Sequence, residues 1–327
     1  MVSVVFKEFF EALGGQAKLA LKWSAWYAAK WWREAREAAR GTWLWRILYL
    51  SLRLRGAIDE RGDFVPVYKI RGIMGEELPV FEERPEYPTN FYAAEFVDFH
   101  DSFDRLNIVN VAQNNVDENT VAILYSALQI SGWYRLVRRE FVKLVGRGGV
   151  VLEAFVKEGH TAFALLEEAA PRLYIGFDSR RDHLELASSL LGAEVGGCRG
   201  GVCLYPAYSP CDVLDVVKSL APQGVDAVLL FDAVSWMVDP VRDLSCVGKM
   251  LAAGGKIYVA QHVADTAPGL AVISAAAGAK HVFNWRGVEQ MLKTAGLSLM
   301  RRYAKDAPLY TAVWGRGGLL LERLEPW

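Results

Sequence analysis

Residues 150–178, which read VVLEAFVKEGHTAFALLEEAAPRLYIGFD, decide the fold. Apolar runs at 150–153 and 172–178 flank a stretch that is rich in helix-forming residues. Short apolar runs separated by a helix are typical of parallel strands, because parallel neighbours need a long crossover connection. The segment therefore predicts a strand, a loop, a helix and a second strand, which ends in the acidic residue Asp178.

The same alternation continues towards the carboxyl end of the chain. Further apolar runs lie at 201–205, 225–232, 255–261, 297–303 and 309–315, and amphipathic stretches such as RRDHLELASSLLG separate the earlier ones. The last two runs are only a few residues apart, which predicts an antiparallel hairpin at the sheet edge. Together these runs predict an α/β fold, with a Rossmann-like, mostly parallel sheet and helices on both faces.

In such a sheet, ligands bind beyond the carboxyl ends of the strands, so functional side chains are expected there. Glu153, Asp178 and Asp232 end predicted strands, and His262 follows another. Asp178 lies 25 residues after Glu153. This is near the spacing of about 20 residues at which a carboxylate binds both ribose hydroxyls of a nucleotide. The alternative role for Asp178 is to cap the helix that begins near Arg180.

The loop after the first predicted strand departs from the usual nucleotide-binding pattern. Such loops cluster glycines, because glycine accepts positive φ and lets the backbone approach a ligand without a Cβ atom. Here Phe155, Lys157 and Glu158 occupy the loop, and only Gly159 is in place. Phe155 is expected either to narrow the ligand space or to fill it.

The segment 16–56 has an unusual composition, with six of the eleven tryptophans and nine Lys or Arg against two Glu. Helix formers dominate it and Gly41 interrupts it, which predicts helices at 16–40 and 42–55. The second helix is too short and too charged to span a bilayer. Two interpretations stay open. The aromatic side chains pack on the main domain or on a second copy of it, or they contact a membrane interface or a lipid-like substrate.

The next segment, 57–119, is rich in prolines, charges and turn formers, and it predicts an irregular cap whose aromatic residues are packed. Regular structure resumes with a predicted helix at 120–145. We therefore divide the chain into residues 1–119, with the Trp-rich helices and the cap, and residues 120–327, the Rossmann-like domain. The terminal GLLLERLEPW predicts a tail that packs on the protein or pairs in a homo-oligomer.

The overall composition argues against several classes of protein. The 37 basic and 38 acidic residues nearly balance, which argues against a nucleic-acid binder. The first residues lack the continuous apolar stretch of a secretory signal, so the expected location is the cytoplasm. The four cysteines lack the spacing of a zinc site, so no metal is expected, although three within fourteen residues allow one disulfide. Seven Asn and six Gln are few, which favours a thermophilic source.

Five segments in order resemble class I S-adenosylmethionine-dependent methyltransferases, and among them the branch that methylates small molecules and quinones. These segments are VVLE…EG, LYIGFDSRRDHLELA, GVDAVLLFDAVSWMVDPVRDL, MLAAGGKIYVAQ and VEQMLKTAGLSLMRRY…YTAVWG. The resemblance covers residues 150–315. It implies a sheet of seven strands, S-adenosylmethionine as the cofactor, and an apolar small molecule or lipid-like acceptor.

The resemblance also implies where the cofactor binds. The first-strand carboxylate and the loop backbone would lie at the methionine and ribose end, Asp178 on the ribose, and the residues after the third strand beside the adenine. The implied cofactor-binding residues are Glu153, Ala154, Phe155, Gly159, Asp178, Ser179, Pro206, Ala207 and Phe231. Residues 231–233 would lie near the transferable methyl group, so Asp232 and His262 are the candidate catalytic bases.

Two departures from the family pattern keep a second function open. The pattern of an acidic residue followed by three alternating glycines reads EAFVKEG here, and the acidic residue usual after the third strand is missing. One hypothesis is an active methyltransferase whose aromatic cap encloses the acceptor. The alternative is a catalytically silent, methyltransferase-like protein that serves as a binding or assembly partner. A third, a nucleic-acid methyltransferase that uses the basic segment 16–56, is disfavoured by the balanced charge.

Overall fold

The computed structural model describes residues 6–65, 84–305 and 308–317. It groups the chain into two compact units, each assembled from three segments. Unit 1 comprises residues 1–140, 262–285 and 304–310, and unit 2 comprises residues 141–261, 286–303 and 311–327. Part of the predicted cap, 66–83, and the predicted tail, 318–327, lie outside the described residues.

Unit 1 is mainly helical in its described part. Its helices are α1 Lys7–Leu13, α2 Gln16–Ala38, α3 Trp43–Arg55, α4 Phe91–Asp104, α5 Ile108–Ala112, α6 Glu118–Ile130, most of α7 Gly132–Val142, and α12 Pro268–Ala276. The two helices predicted at 16–40 and 42–55 are confirmed as α2 and α3. Thr42 starts α3 as its cap, since its side chain accepts a hydrogen bond from the Trp45 N–H at 3.2 Å.

The irregular cap predicted for 57–119 is wrong in part, because this stretch contains α4, α5 and the start of α6. Asn90 caps α4 by accepting hydrogen bonds from the backbone N–H groups of Tyr92 and Ala93. The single helix predicted at 120–145 is also wrong. It is divided into α6 and α7 at Ser131, whose φ of -58° and ψ of 154° are not helical. The first error arose where turn formers such as Asn90 mark helix ends, and the second arose because Ser131 and Gly132 were not recognised as a helix end.

Helix α2 buries most of its aromatic surface inside unit 1. Trp23, Trp31 and Trp32 are each at most 1% exposed. The Trp31 Nε1–H donates to Asp104 Oδ1 at 2.9 Å, and the Trp32 Nε1–H donates to the Gly62 carbonyl at 2.9 Å. Burial with the indole N–H satisfied is what packing requires of tryptophan. Packing, one of the two interpretations of these tryptophans, is therefore observed. Within the described ranges, no helix has both the length and the apolar character needed to cross a bilayer.

A buried histidine joins α2, α4 and α12. His100 Nδ1 lies 2.9 Å from the Phe96 carbonyl, and its Nε2 lies 3.1 Å from Ser24 Oγ. Ser24 Oγ in turn accepts from the Leu270 N–H at 3.1 Å. A Cβ atom on Gly269 would lie 2.4 Å from the Ser24 carbonyl, so only glycine permits this approach of α12 to α2. Burial lowers the pKa of His100 to about 4, so the imidazole is neutral at neutral pH.

Unit 2 is built on a sheet with eight strands in the described residues. The strands are β1 Val150–Ala154, β2 Leu173–Asp178, β3 Gly197–Arg199, β4 Val202–Pro206, β5 Val225–Phe231, β6 Leu251–Gln261, β7 Leu297–Ala304 and β8 Tyr310–Arg316. Their order across the sheet is β3-β4-β2-β1-β5-β6-β8-β7. The predicted α/β fold with a hairpin at its edge is confirmed. The predicted count of seven strands is one short, because the three-residue β3 carries no apolar run.

The strand order reverses beside β1. Strands β2 and β5 flank β1 and run parallel to it. Outwards from them, β4 pairs parallel with β2, and β6 pairs parallel with β5. Every residue of β1 is buried, and β2 and β5 are buried almost throughout, which explains their continuous apolar sequences. Ligands bind near such a reversal in parallel sheets, so the candidate site is expected beyond the ends of β1 and β5.

Helices lie between these strands. They are α8 His160–Ala169, α9 Arg181–Leu191, α10 Leu214–Leu220, α11 Pro240–Met250 and α13 Trp285–Thr294. Their ends carry favourable local signals. Asp239 starts α11 by accepting from the Arg242 N–H at 3.1 Å, with Pro240 as the first helical residue. Gly192 ends α9 at a φ of 64°.

Two disulfides connect elements of unit 2, whereas the sequence indicated that one was possible. Cys198–Cys203 joins the antiparallel neighbours β3 and β4. Cys211–Cys246 joins the 3-10 helix at 210–213 to α11, across 35 residues of chain. The second pairing was not expected because Cys246 lies far from the other three cysteines in the sequence.

Candidate functional site

The carboxyl ends of neighbouring strands bring several predicted site residues to one edge of the sheet. Ala154 at the end of β1 is level with Phe177 of β2, and Asp178 is level with Pro206 of β4. On the other side of β1, Asp232 directly follows β5, and its N–H donates to the Ala260 carbonyl of β6 at 2.6 Å. The loop after β1, residues 155–159, therefore lies between two strand ends that each carry an aspartate.

This loop keeps the backbone of a glycine loop without most of the glycines. The φ angles are 58° at Phe155, 52° at Lys157 and 86° at Gly159, the three positions where the family pattern has glycine. A left-handed conformation costs an L-residue about 1–2 kcal/mol. Residues persist in such conformations only where the surrounding structure imposes them, and they cluster at ligand sites.

Two glycines hold the loop against its neighbours. A Cβ atom on Gly159 would lie 3.0 Å from both Cα and Cβ of Ala187, so the start of α8 approaches α9 closely. A Cβ atom on Gly176 would lie 2.5 Å from Val156 Cγ2, so Val156 packs onto β2 at this glycine. Gly176 was not singled out from the sequence, although a glycine inside an apolar strand is a signal of close approach.

Asp178 anchors the loop and the turn before α9. Its Oδ2 accepts from the Lys157 N–H at 2.9 Å, and its Oδ1 accepts from the Arg180 N–H at 2.9 Å. The side chain is almost completely buried. Asp178 thus binds the turn before α9, but the cap residue of that helix is Arg180 and no side chain caps it, so the capping alternative is not observed. Since a carboxylate offers about four acceptor positions, these two bonds leave capacity for a sugar diol.

Charged side chains surround Asp178. His183 of α9 has its Nδ1 3.5 Å from Asp178 Oδ1 and its Nε2 3.7 Å from Glu158 Oε1. Arg180 pairs with Asp182, and this hydrogen bond lowers the pKa of the Asp182 carboxyl to about 2. The Arg180 guanidinium is thereby bound to Asp182, while His183 faces two buried carboxylates.

Glu153, predicted at the methionine end, is bonded within the sheet. The Tyr174 hydroxyl of β2 donates to Glu153 Oε2 at 2.7 Å. Burial, followed by the Glu153 charge, raises the pKa of Tyr174 well above its ordinary value, so the phenol remains a donor. Contact of Glu153 with a cofactor stays a prediction.

Phe155 is 6% exposed, and its ring centroid lies 5.7 Å from that of Phe177. The ring is therefore packed beside the end of β2 and not directed into solvent. That Phe155 narrows or fills the ligand space stays a prediction.

Lys157 extends from the loop to the end of β5. Its Nζ lies 3.2 Å from Asp232 Oδ2, 3.4 Å from the Asp232 carbonyl and 5.2 Å from the centroid of the Trp236 ring. Gln261 Nε2 donates to Asp232 Oδ1 at 2.8 Å and lies 3.0 Å from Ser235 Oγ, while Gln261 Oε1 accepts from the Val234 N–H. Asp232 is completely buried and Lys157 nearly so. Sequence reasoning missed this ion pair, because it joins residues 75 positions apart.

The remaining predicted cofactor residues differ in their exposure. Ala154 and Phe231 are buried within strands, and the Phe231 ring packs on Phe141 with centroids 5.4 Å apart. Ser179 is half-buried and Pro206 is exposed.

The turn after β4 is attached to the end of β2. The Ala207 N–H donates to the Asp178 carbonyl at 3.0 Å.

His262, the second candidate base, directly follows β6, is 4% exposed, and is grouped with unit 1. In the part of the chain that the structure describes, no three His, Cys, Asp or Glu residues are grouped as metal ligands.

No protein-family model matches the chain, and no curated protein sequence matches it. Several solved structures are similar to it in fold. An O-methyltransferase family 2 protein from Planctomyces limnophilus, solved in complex with apigenin, is similar over 96% of each chain, with 14% identity and a TM-score of 0.50. The mitomycin 7-O-methyltransferase MmcR is similar over 69% of this chain and 72% of its own, with 16% identity and a TM-score of 0.49. At 14% identity, the likeness to the Planctomyces protein shows a shared fold and nothing beyond it.

Proposed function

We propose that the protein is an S-adenosylmethionine-dependent methyltransferase that acts on an apolar small molecule. Asp178 would hold the ribose, Pro206 and Ala207 would flank the adenine, and the loop 154–159 would approach the methionine end beside Glu153. When bound, the cofactor supplies a methyl group on a positively charged sulfur. The contribution of the protein is then chiefly to align the acceptor with that methyl group.

The observation that carries this proposal is the backbone of the loop after β1. Phe155, Lys157 and Gly159 all have positive φ, and the Lys157 N–H is bonded to Asp178. A backbone conformation that suits glycine costs free energy at Phe155 and Lys157, and residues strained in this way are typical of ligand sites. The same carboxylate retains acceptor capacity, as a ribose site requires.

The acceptor class rests on the resemblance of residues 150–315 to the small-molecule branch and on the Trp-rich basic segment 16–56. Asp232 and His262 remain the candidate bases. Asp232 is bound by Lys157 and Gln261, so an acceptor that gave it a proton would share the carboxylate with both side chains.

Calorimetric titration with S-adenosylmethionine and S-adenosylhomocysteine tests the proposal. We expect Asp178→Asn to weaken binding at least about tenfold, since a hydrogen bond to a charged group contributes about 1.5–3 kcal/mol. Asp215→Asn is the matched control, because the Asp215 side chain is 98% exposed on α10. Equal affinity of the two variants would contradict the assignment of Asp178.

A catalytically silent, methyltransferase-like protein is the second candidate. The buried Phe155 ring and the Lys157–Asp232 ion pair favour it, because both lie where the cofactor would pass. If neither ligand binds the native protein or Phe155→Gly at millimolar concentration, the enzyme proposal fails and this candidate replaces it.

Peripheral membrane contact through 16–56 rests on one stripe of α3. Trp43, Arg46, Leu50 and Arg53 recur at three- and four-residue spacing, and Trp43 and Leu50 are 40% and 43% exposed. Aromatic and cationic side chains of this kind suit an anionic headgroup zone. Flotation with anionic vesicles, comparing the native protein with Trp43→Ser/Leu50→Ser, is the test. Failure of the native protein to float would end this proposal and leave the methyltransferase proposal unaffected.

A further inference from the structure

The end of β5 carries a cage for a positive charge. Its walls are the Asp232 carboxylate, the Asp232 carbonyl and the face of Trp236, and the Lys157 ammonium lies among them at 3.2, 3.4 and 5.2 Å. Gln261 fixes the carboxylate from the other side at 2.8 Å. Asp232 has no exposed surface, so its charge depends on a cation inside the protein.

The composition of the cage suits an organic cation. An aromatic face attracts a cation through its quadrupole, and it does so most effectively for weakly hydrated cations such as quaternary ammonium groups. A primary ammonium is compact and strongly hydrated, so it loses more solvation on entering such a site. Lys157 therefore neutralises Asp232 without being the cation that this lining favours most.

Lys157 connects the cage to the proposed ribose acceptor. Its backbone N–H bonds Asp178 Oδ2 at 2.9 Å, while its Nζ bonds Asp232 Oδ2. One residue thus spans both aspartates. In an adenosyl sulfonium compound the sulfur is attached to the ribose C5′, so its charge lies within about a side chain's length of the sugar hydroxyls. A ligand whose ribose is at Asp178 can therefore direct a sulfonium towards Asp232.

We propose that Asp232 and Trp236 form a site for an organic cation, and that Lys157 is a tethered occupant which competes with the sulfonium of an adenosyl ligand. This inference rests on the proposed function for the position of the nucleoside. Lys157 is then a specificity-determining residue. An adenosyl ligand with a neutral sulfur binds without displacing Lys157, whereas a sulfonium ligand must displace it.

The first test compares two ligands that differ in this charge. S-Adenosylhomocysteine and S-adenosylmethionine are titrated into the native protein, Lys157→Met, Lys157→Met/Asp232→Asn and the control Lys218→Met, whose lysine is 60% exposed. We expect the native protein and the control to prefer the neutral ligand about tenfold or more. In Lys157→Met the preference reverses, because the sulfonium now neutralises Asp232, and in the double variant it disappears. The same ratio of affinities in all four proteins overturns the inference and leaves the proposed cofactor site intact.

The second test does not need the nucleoside. Trimethylsulfonium is added to the same four proteins, and the unfolding temperature is measured. We expect it to raise the unfolding temperature of Lys157→Met only. If no adenosyl ligand binds any variant but this rise occurs, the proposed function fails and the cation site stands. If Lys157→Met folds only with trimethylsulfonium present, that also supports the site. No effect of trimethylsulfonium on its folding or stability contradicts it.

Discussion

The loop positions 155, 157 and 159 all have positive φ, but they differ in whether packing also requires glycine. Position 159 requires glycine for two reasons. Its φ is 86°, and a Cβ atom there would lie 3.0 Å from Cα and Cβ of Ala187. At 155 and 157 the φ angles are also positive, yet side chains are present. The one glycine kept from the family pattern is thus the one that packs two helices, while the replaced positions are those expected to face a ligand.

We expect Gly159→Ala to lower the free energy of unfolding by about 2–3 kcal/mol, through backbone strain of about 1 kcal/mol and a steric conflict with α9. Gly192→Ala is the matched control. It has a φ of 64° but nothing within 4 Å of an added Cβ, so it should lose only the strain contribution. Urea unfolding of both variants gives the comparison. Equal losses would mean that the approach of α8 to α9 is not tight.

Phe155→Gly should relieve the strain at φ 58° and remove the ring that packs beside Phe177. We expect affinity for S-adenosylhomocysteine to rise about tenfold, while the free energy of unfolding falls by about 1–3 kcal/mol because a buried ring is lost. Phe163→Ala, with a ring 41% exposed on α8, is the control. Unchanged affinity, measured calorimetrically, would show that the ring does not restrict the ligand space.

At the scale of elements, the sequence predicted most of the sheet and missed helices. Continuous apolar runs predicted β1, β2 and β5 because buried parallel strands need apolar residues on both faces. Helix α4 was missed although Asn90 marks its start and Ala93, Phe96, Val97 and His100 follow at helical spacing. The prolines and charged residues around it predicted an irregular segment instead. The positive φ of Phe155 and Lys157 could not be predicted, because side-chain identity at those positions argues for the opposite conformation.

Helix α4 should make the protein sensitive to acid through His100. Its pKa is about 4 in the folded state, below the ordinary value of 6.5, so the unfolded chain takes up a proton first. The stabilisation is present above pH 6.5 and is lost as the pH falls towards 4, on the order of 3 kcal/mol in all. We expect His100→Gln to lose less stability than the native protein between pH 7.5 and 4.5 in urea unfolding. His281→Gln, at a half-buried position, serves as control. An identical loss in His100→Gln would contradict the assignment.

The two disulfides should differ in their contribution to stability. Cys211–Cys246 closes a loop with a sequence separation of 35 and Cys198–Cys203 one of 5. Chain entropy predicts about 4 and about 2 kcal/mol for loops of these lengths. We therefore expect Cys211→Ser/Cys246→Ser to be destabilised more than Cys198→Ser/Cys203→Ser in urea. The reverse order would indicate that native-state packing around β3, and not loop length, determines the difference.

At the scale of the whole molecule, the chain passes between the two units after residues 140, 261, 285, 303 and 310. This grouping differs from the boundary at 119 that composition predicted, since α6, most of α7 and α12 are grouped with unit 1. Composition along the sequence could not indicate that 262–285, inserted after β6, packs on α2 and α3. The boundary at 119 stays a prediction from composition.

Expression of residues 120–327 tests that boundary. We expect this fragment not to fold, because α12 would lose α2, α3 and α4, against which it packs. Leu270, Val272 and Ile273 are each at most 2% exposed in the full chain and would meet water. The readout is the cooperativity of thermal unfolding, with the full chain as control. A cooperative transition in the fragment would support the boundary at 119.

The insertion of α12 also has a consequence for biosynthesis. Helices α2 and α3 leave the ribosome early, but their partner begins only at Pro268, more than 200 residues after α3 ends at Arg55. At translation rates of 5–20 residues per second, the nascent helices wait on the order of 10–40 s for it. During that interval α2 and α3 lack the helix against which they pack in the native protein, so we expect the yield of native protein to depend on chaperones that cover exposed apolar surface.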